Sequence, residues 1–195
     1  MKVGVLALQG AFREHAEALM ALGADVVLVK RPEHLEQVDA IFLPGGESTT
    51  IDKLLDSSAL CEPLTRRLRD GLPAFATCAG LILCASEVID GRPDQAPLGV
   101  LDVTVRRNGY GRQRESFEAP LAVRGLADGD FPGVFIRAPV VERVGPDVDV
   151  LATYDDAPVL GRAQNIVFAT FHPELSGDLR LHQLFVNLLS SKEVN

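Results

Sequence analysis

The chain has 195 residues, of which 47% are hydrophobic and 24% charged, as expected of a globular protein with one core of ordinary size. Its formal net charge of −8 argues against a nucleic-acid partner, because phosphate binding needs a basic surface. The three cysteines have no metal-ligand spacing, and their odd number argues against a disulfide framework. With no apolar run of the ~20 residues that a membrane span needs and no signal peptide pattern, the sequence predicts a cytoplasmic protein without a membrane partner.

The first half of the chain alternates strand and helix patterns. Residues 3–8 form a mostly apolar run typical of a strand covered on both faces, and an apolar stripe from Phe12 to Met20 predicts a helix that ends near Gly23. The same reasoning predicts strands at 26–30, 40–43 and 73–77, a short helix after Pro32, a helix over 50–69 broken near Pro63, and a helix over 79–87. This rhythm is typical of βαβ units and a parallel sheet.

The second half has a different texture. Short valine-rich runs at 100–105, 134–137, 148–153 and 159–163 are separated by Gly, Pro and Asp, which favours antiparallel strands. Residues 166–171 form a last buried strand, and the apolar spacing over 181–189 predicts a final helix. The whole pattern predicts one α/β domain, residues 1–195, with a mixed sheet.

Cys78 is the candidate nucleophile. The apolar strand that ends at Thr77 is followed by a helix starting near Ala79, so Cys78 falls on a tight strand-to-helix turn flanked by small residues. The N-terminus of that helix would stabilise the thiolate, and the N–H of Ala79 could serve as an oxyanion donor. The alternative is a small buried hydrophobe, which we expect for Cys61 and Cys84.

His172 is the candidate base. It follows the strand at 166–171 directly, and residues just past the carboxyl ends of parallel strands line the crevice where ligands bind. Cys78 occupies the same kind of position, so the two can meet. Glu174 can reach back to the second imidazole nitrogen and fix its tautomer. His15, His34 and His182 fall within helical patterns instead.

A glycine loop, Pro44-Gly45-Gly46, also follows a strand. Paired glycines can turn backbone N–H groups inward to form an anion-binding nest, which could supply donors to an oxyanion near Gly46. The alternative is an N-cap turn, and both can hold together. Arg107 and Arg137 end strand-like runs and could each hold a substrate carboxylate, with simple solvent exposure as the alternative.

The ordered motifs LALQG, PGGESTT, TCAG, RNGYGRQRESFE, FIRAP and FHPEL resemble the glutaminase subunits of pyridoxal 5′-phosphate synthases, a family of class I glutamine amidotransferases. TCAG and HPE point only to the superfamily; GESTT, the segment around Gln113, and FIRAP are more specific. The resemblance implies a flavodoxin-like three-layer fold with a mostly parallel sheet and helices on both faces. It also implies a Cys78–His172–Glu174 triad, with no metal or cofactor required.

The same resemblance implies a substrate and a partner. The expected partner is a (β/α)₈-barrel synthase subunit in a large hetero-oligomer, which receives ammonia from L-glutamine to build pyridoxal 5′-phosphate. The residues expected to contact glutamine are Gly46, Glu47, Ser48, Arg107, Ile136 and Arg137, and those expected to face the partner are Gln9, Gly10, Arg13 and His15.

Two alternatives stay open on sequence alone. The chain could be the glutaminase of another complex, such as one for histidine or nucleotide synthesis. It could instead be a catalytically silent subunit that only regulates its partner, although intact Cys78, His172 and Glu174 argue against that.

Overall fold

The structure, a computed structural model, describes residues 1–92, 97–107, 109 and 116–190. Within these residues a seven-stranded sheet forms the centre of the molecule. Its strands, in sheet order, are β10 (Asp149–Tyr154), β11 (Ala157–Ala163), β12 (Ile166–Ala169), β4 (Ala74–Thr77), β3 (Ala40–Leu43), β1 (Lys2–Leu6) and β2 (Asp25–Val29). The strands from β12 to β2 are parallel, and β10 and β11 are antiparallel to their neighbours, so the predicted mixed sheet is confirmed.

Helices cover both faces of this sheet. They are α1 (Phe12–Ala21), α2 (Pro32–Leu35), α3 (Ser48–Ser57), α4 (Cys61–Arg69), α5 (Ala79–Cys84) and α6 (Arg180–Ser190). Alternation along β3 shows how the layers form, since successive side chains of a strand point to opposite faces. Ile41 and Leu43 pack with α3, α4 and α5, whereas Phe42 packs with α1 and α6. No helix in the described part of the chain combines the length and apolar character needed to cross a membrane.

Two smaller sheets flank the central one in the described residues. One contains β5 (Ala85–Ile89), β6 (Leu101–Arg106) and β9 (Val140–Val144), and the other pairs β7 (Ser116–Leu121) with β8 (Phe131–Ile136). The valine-rich runs overlap β6, β8, β10 and β11 to within a few residues, so the strands predicted there are confirmed, but β5, β7 and β9 were not predicted.

Two predicted helix boundaries are wrong. The helix expected over 79–87 ends at Cys84, because its last carbonyls accept hydrogen bonds from the approaching chain: Leu98 N to Leu83 O at 2.7 Å and Val100 N to Cys84 O at 3.0 Å. The break expected near Pro63 lies earlier, at Ala59, whose φ of 58° ends α3. Pro63 sits in the first turn of α4, where a missing N–H costs nothing.

Candidate active site

Cys78 lies on a strained turn between β4 and α5. Its φ is +47° and its ψ −102°, a conformation that costs energy for a side chain with a Cβ and persists only where the surroundings impose it. Cys78 N donates to Ala169 O at 2.9 Å, and Ile82 N donates to the Cys78 carbonyl at 3.2 Å. Gly80 must be glycine, since a Cβ there would lie 2.1 Å from the Leu43 carbonyl oxygen. The expected strand-to-helix elbow is present.

His172 and Glu174 reach Cys78 from the neighbouring strand. β12 and β4 are parallel with Ala169 opposite Thr77, so both strands deliver their following residues to the same edge of the sheet. The His172 backbone N–H donates to Val134 O at 2.8 Å, and its Nδ1 lies 2.8 Å from Glu174 Oε1. The Cys78 side chain is close enough to the same imidazole to raise its pKa. The structure therefore brings the three sequence-predicted side chains together in the order that a cysteine hydrolase needs.

The electrostatics of this group favour an imidazolium. Burial lowers the pKa of His172, but the hydrogen bonds and charges of Cys78 and Glu174 outweigh it and raise that pKa to about 10. Burial raises the pKa of Glu174, but the neighbouring His15 and the hydrogen bond from His172 lower it by more, so that its pKa lies below the ordinary value. Glu174 is thus an anion whose charge is directed at His172.

His15 does not face a partner, and that expectation is wrong for its side chain. The imidazole is fully buried, with Nε2 3.3 Å from Glu174 Oε2 and 3.1 Å from Thr77 Oγ1. Its Nδ1 lies 2.9 Å from Nε2 of His182, which is buried too. The sequence contained a signal for this burial: His15 precedes the buried Leu19 by four residues, and His182 precedes the buried Phe185 by three.

The remaining residues expected to face a partner lie at the start of α1. Gln9 and Gly10 are half-buried, and Arg13 is exposed, with its guanidinium 5.8 Å from the Phe12 ring centroid. Gln9 Oε1 accepts from the Glu47 N–H at 2.8 Å. Gly10 has a φ of +96° and packs so tightly that a Cβ would lie 1.9 Å from the Gly45 carbonyl oxygen. The segment of Gln9 and Gly10 therefore packs against the glycine loop and helps to fix its backbone.

Gly45 is a site residue that the sequence reasoning did not single out. A Cβ on Gly45 would lie 2.3 Å from Cε1 and 2.8 Å from Nδ1 of His172, and 3.3 Å from the Cβ of Cys78. The loop after β3 is thus in contact with both catalytic candidates, and glycine is the residue that leaves room for the imidazole. The paired glycines pointed to backbone donors, but not to this close approach.

A solvent-open cleft of about 260 Å³ lies above Cys78 and His172. The residues expected to contact glutamine all line it, together with the candidate nucleophile, the candidate base and one apolar side chain that was not predicted: Gly46, Glu47, Ser48, Cys78, Ile82, Arg107, Ile136, Arg137 and His172. Gln113 lies outside the described residues. Ala79, at the first position of α5, is buried directly beside the nucleophile.

Charged groups in the cleft are held in defined positions. Arg107 Nη2 lies 3.0 Å from Glu47 Oε1, which also accepts from Thr49 Oγ1 at 3.0 Å. Arg137 has a φ of +45°, a second strained residue facing the same space. The Cys78 sulfur lies 3.9 Å from the Ile136 carbonyl oxygen. Among the described residues, no group of three or more His, Cys, Asp or Glu could hold a metal ion.

Comparison with known proteins defines the class of this site. Residues 5–191 match the SNO glutamine amidotransferase family, and the chain belongs to that family. A crystal structure of a glutamine amidotransferase superposes with a TM-score of 0.90 at 51% identity, covering 96% of this chain and 98% of that protein. The predicted flavodoxin-like fold is thereby confirmed.

Two curated relatives are more specific, and both are named pyridoxal 5′-phosphate synthase subunit PdxT. The protein from Nocardia farcinica is 56% identical over 192 residues, with 96% of this chain and 85% of the relative covered. The protein from Geobacillus kaustophilus is 52% identical over 194 residues, with 100% of this chain and 97% of the relative covered. The resemblance noted in the sequence is confirmed at the level of the family.

Proposed function

We propose that this chain, as one glutaminase domain, hydrolyses L-glutamine to glutamate and ammonia with Cys78 as nucleophile, His172 as acid and base, and Glu174 as the group that orients His172. The ammonia passes to a (β/α)₈-barrel synthase subunit that makes pyridoxal 5′-phosphate. The observation that carries this proposal is the Cys78–His172–Glu174 arrangement at the base of a cleft, in a chain whose relatives are named as subunits of that synthase.

The chemistry follows from the protonation states. Cys78 thiolate attacks the side-chain amide carbon of glutamine, and the carbonyl oxygen becomes an oxyanion. The imidazolium of His172 protonates the departing nitrogen, the C–N bond breaks, and ammonia leaves a thioester on Cys78. His172, now neutral, takes a proton from water, which attacks the thioester; glutamate and the thiolate are released. The elevated pKa of His172 suits the first step, because the imidazole arrives already protonated.

Backbone donors would hold the oxyanion. The amides of Gly46 and Ala79 come from the glycine loop and the N-terminus of α5, the two backbone segments that border Cys78. Loss of one such donor commonly costs ~100-fold or more in rate. The Glu47 N–H donates to Gln9, and the glycine loop packs on Gly10. The segment before α1 therefore controls the orientation of the backbone donors that would bind the oxyanion.

The cleft also contains side chains that can bind both the α-carboxylate and the α-ammonium group of an amino acid. Arg107 and Arg137 can bind the α-carboxylate through paired hydrogen bonds, and the Glu47 carboxylate can accept from the α-ammonium group. Ser48 and Ile136 complete the walls around the side chain of the substrate. An arginine held by Glu47 at 3.0 Å is already placed and loses little freedom when substrate arrives.

We place the synthase contact at Gln9, Gly10 and Arg13, which lie at the accessible start of α1 behind the glycine loop. The assembly would be a large hetero-oligomer in the cytoplasm. A reducing compartment fits the chemistry, since Cys78 must stay a free thiol, as all the cysteines of the chain are.

The test is a glutaminase assay with and without the barrel subunit, using Cys78→Ala and the control Cys61→Ser. We expect Cys78→Ala to lose glutamine hydrolysis and still bind the barrel, and Cys61→Ser to behave as the unaltered protein, because Cys61 lies on α4 away from the cleft. Full activity of Cys78→Ala would refute the nucleophile. Co-purification with an acceptor enzyme of another pathway would refute the partner while leaving the glutaminase intact.

A further inference from the structure

Two buried histidines outside the triad lie in line with it. His182 Nε2 is 2.9 Å from His15 Nδ1, and His15 Nε2 is 3.3 Å from Glu174 Oε2, while the other oxygen of Glu174 faces His172 at 2.8 Å. His15 and His182 have no solvent exposure, and the Glu174 side chain has none either. Burying three ionisable groups in contact is costly, so their arrangement calls for a reason beyond packing.

The surroundings of His182 Nδ1 determine which ring nitrogens of His182 and His15 carry protons. His182 Nδ1 is buried and has no hydrogen-bond partner in the described part of the chain. A proton there would be a buried N–H donor without an acceptor, and it would force His15 to donate from Nδ1 and to turn a bare Nε2 toward the Glu174 carboxylate 3.3 Å away. The proton of neutral His182 therefore sits on Nε2 and is donated to His15 Nδ1. This leaves the proton of His15 on Nε2, the nitrogen that faces Thr77 and Glu174.

Glu174 needs this donor. Its Oε2 is buried and has no well-aligned hydrogen bond among the residues that the structure describes, and the Nε2 of His15 lies within reach of it. A carboxylate held on one oxygen alone could rotate away from His172. The Nε2–H of His15 is hydrogen-bonded to Thr77 Oγ1 and lies 3.3 Å from Oε2, so its dipole favours the carboxylate orientation that faces His172 and thereby the imidazole that the carboxylate orients.

His15 and His182 can orient the Glu174 carboxylate better in their neutral form than as cations. Burial lowers the pKa of His15 and lowers that of His182 to about 3. The titratable groups around His15 are Glu14, His172, Glu174 and His182; the charges of Glu174 and Glu14 raise the pKa of His15, but burial together with the charge of His172 outweighs them. A neutral N–H can hold Oε2 and still leave the negative charge of Glu174 to stabilise the imidazolium of His172.

We propose that His15 is a positioning residue for the Glu174 carboxylate, and that His182 acts behind it by fixing the imidazole tautomer of His15. The proposal rests on the proposed function of the triad. Two buried side chains that do not line the cleft would therefore affect the rate of the reaction.

The test compares His15→Leu, which keeps bulk and removes the donor, with His15→Gln, whose side-chain amide can again donate at the position of Nε2. In the complex with the barrel subunit, we expect His15→Leu to lower kcat about 10- to 100-fold with little change in KM, the range for a hydrogen bond to a charged group. His15→Gln should recover most of kcat. The pH profile of Cys78 alkylation by iodoacetamide, followed on its peptide by mass spectrometry, should shift in His15→Leu and return in His15→Gln.

Phe185→Leu is the packing control, because Phe185 packs in the same aromatic cluster, with its ring centroid 5.1 Å from that of Phe42, and carries no polar atom. It should lower stability and leave the alkylation profile unchanged. If His15→Leu fails to fold, His182→Leu carries the same comparison against His182→Gln. Folded leucine variants with the kcat and alkylation profile of the unaltered protein would overturn the proposal. Absence of glutaminase activity in the unaltered complex would instead refute the proposed function.

Discussion

Gly45→Ala tests whether the glycine loop sets the position of His172, the proposed base. The new Cβ would stand 2.3 Å from His172 Cε1, where ordinary contact begins at 3.4 Å, so one of the two groups must retreat by 1.1 Å. The loop cannot retreat easily, because the Gly45 carbonyl accepts from Ala11 N at 3.0 Å and lies against Gly10. The imidazole must therefore move, away from Cys78 or out of line with Glu174.

A displacement of this size is large for catalysis. Misplacing a reacting group by about 1 Å can cost about 100-fold in rate, equivalent to about 2.7 kcal/mol of transition-state stabilisation. We expect kcat/KM for glutamine, measured with the barrel subunit present, to fall by about that factor while the midpoint of thermal unfolding changes little. Gly91→Ala is the control, since its new Cβ would meet the Val88 side chain at 3.1 Å and neither residue lines the cleft. A folded Gly45→Ala variant within threefold of normal activity would refute the reasoning.

Three further predictions concern substrate binding, packing and pH. Arg107→Gln removes the cation held by Glu47 and should raise KM for glutamine about 10- to 100-fold; an unchanged KM would place the substrate carboxylate elsewhere. Gly80→Ala forces a Cβ against the Leu43 carbonyl and should cost about 1–3 kcal/mol in urea unfolding, whereas an unchanged midpoint would show that α5 can shift. His182 has its pKa lowered from 6.5 to about 3, so the unfolded chain binds the extra proton first and stability falls as pH drops below 6.5. His182→Gln should remove about 2 kcal/mol of the loss between pH 6.5 and 5, and equal losses in both proteins would contradict this.

The sequence allowed the site to be predicted where chemistry and topology coincide. Cys78 and His172 follow strands that were visible as apolar runs, and parallel strands bring their carboxyl ends to one edge whatever lies between them. Glu174 followed from its distance along the chain to His172. These inferences needed no knowledge of packing.

What escaped prediction depends on contacts between distant segments. The end of α5 is decided by Leu98 and Val100, whose N–H groups take the last carbonyls of the helix. The need for glycine at position 45 arises from the ring of His172, which arrives from the other end of the chain. The helix that carries His15 was predicted, but periodicity alone cannot show that its buried imidazole lies next to the Glu174 carboxylate.

The position of the site in the sheet determines when the site is lost as the protein unfolds. The segments that carry Gly45, Cys78 and His172 leave β3, β4 and β12, which are adjacent, interior and paired on both sides. Interior strands exchange their amide hydrogens last, since opening them needs the whole sheet to unfold. Fraying at the edge strands β10 and β2 leaves the segments that carry these three residues in place. The proposed triad is thus attached to strands that we expect to open only with the whole sheet, so its geometry should persist until the sheet unfolds.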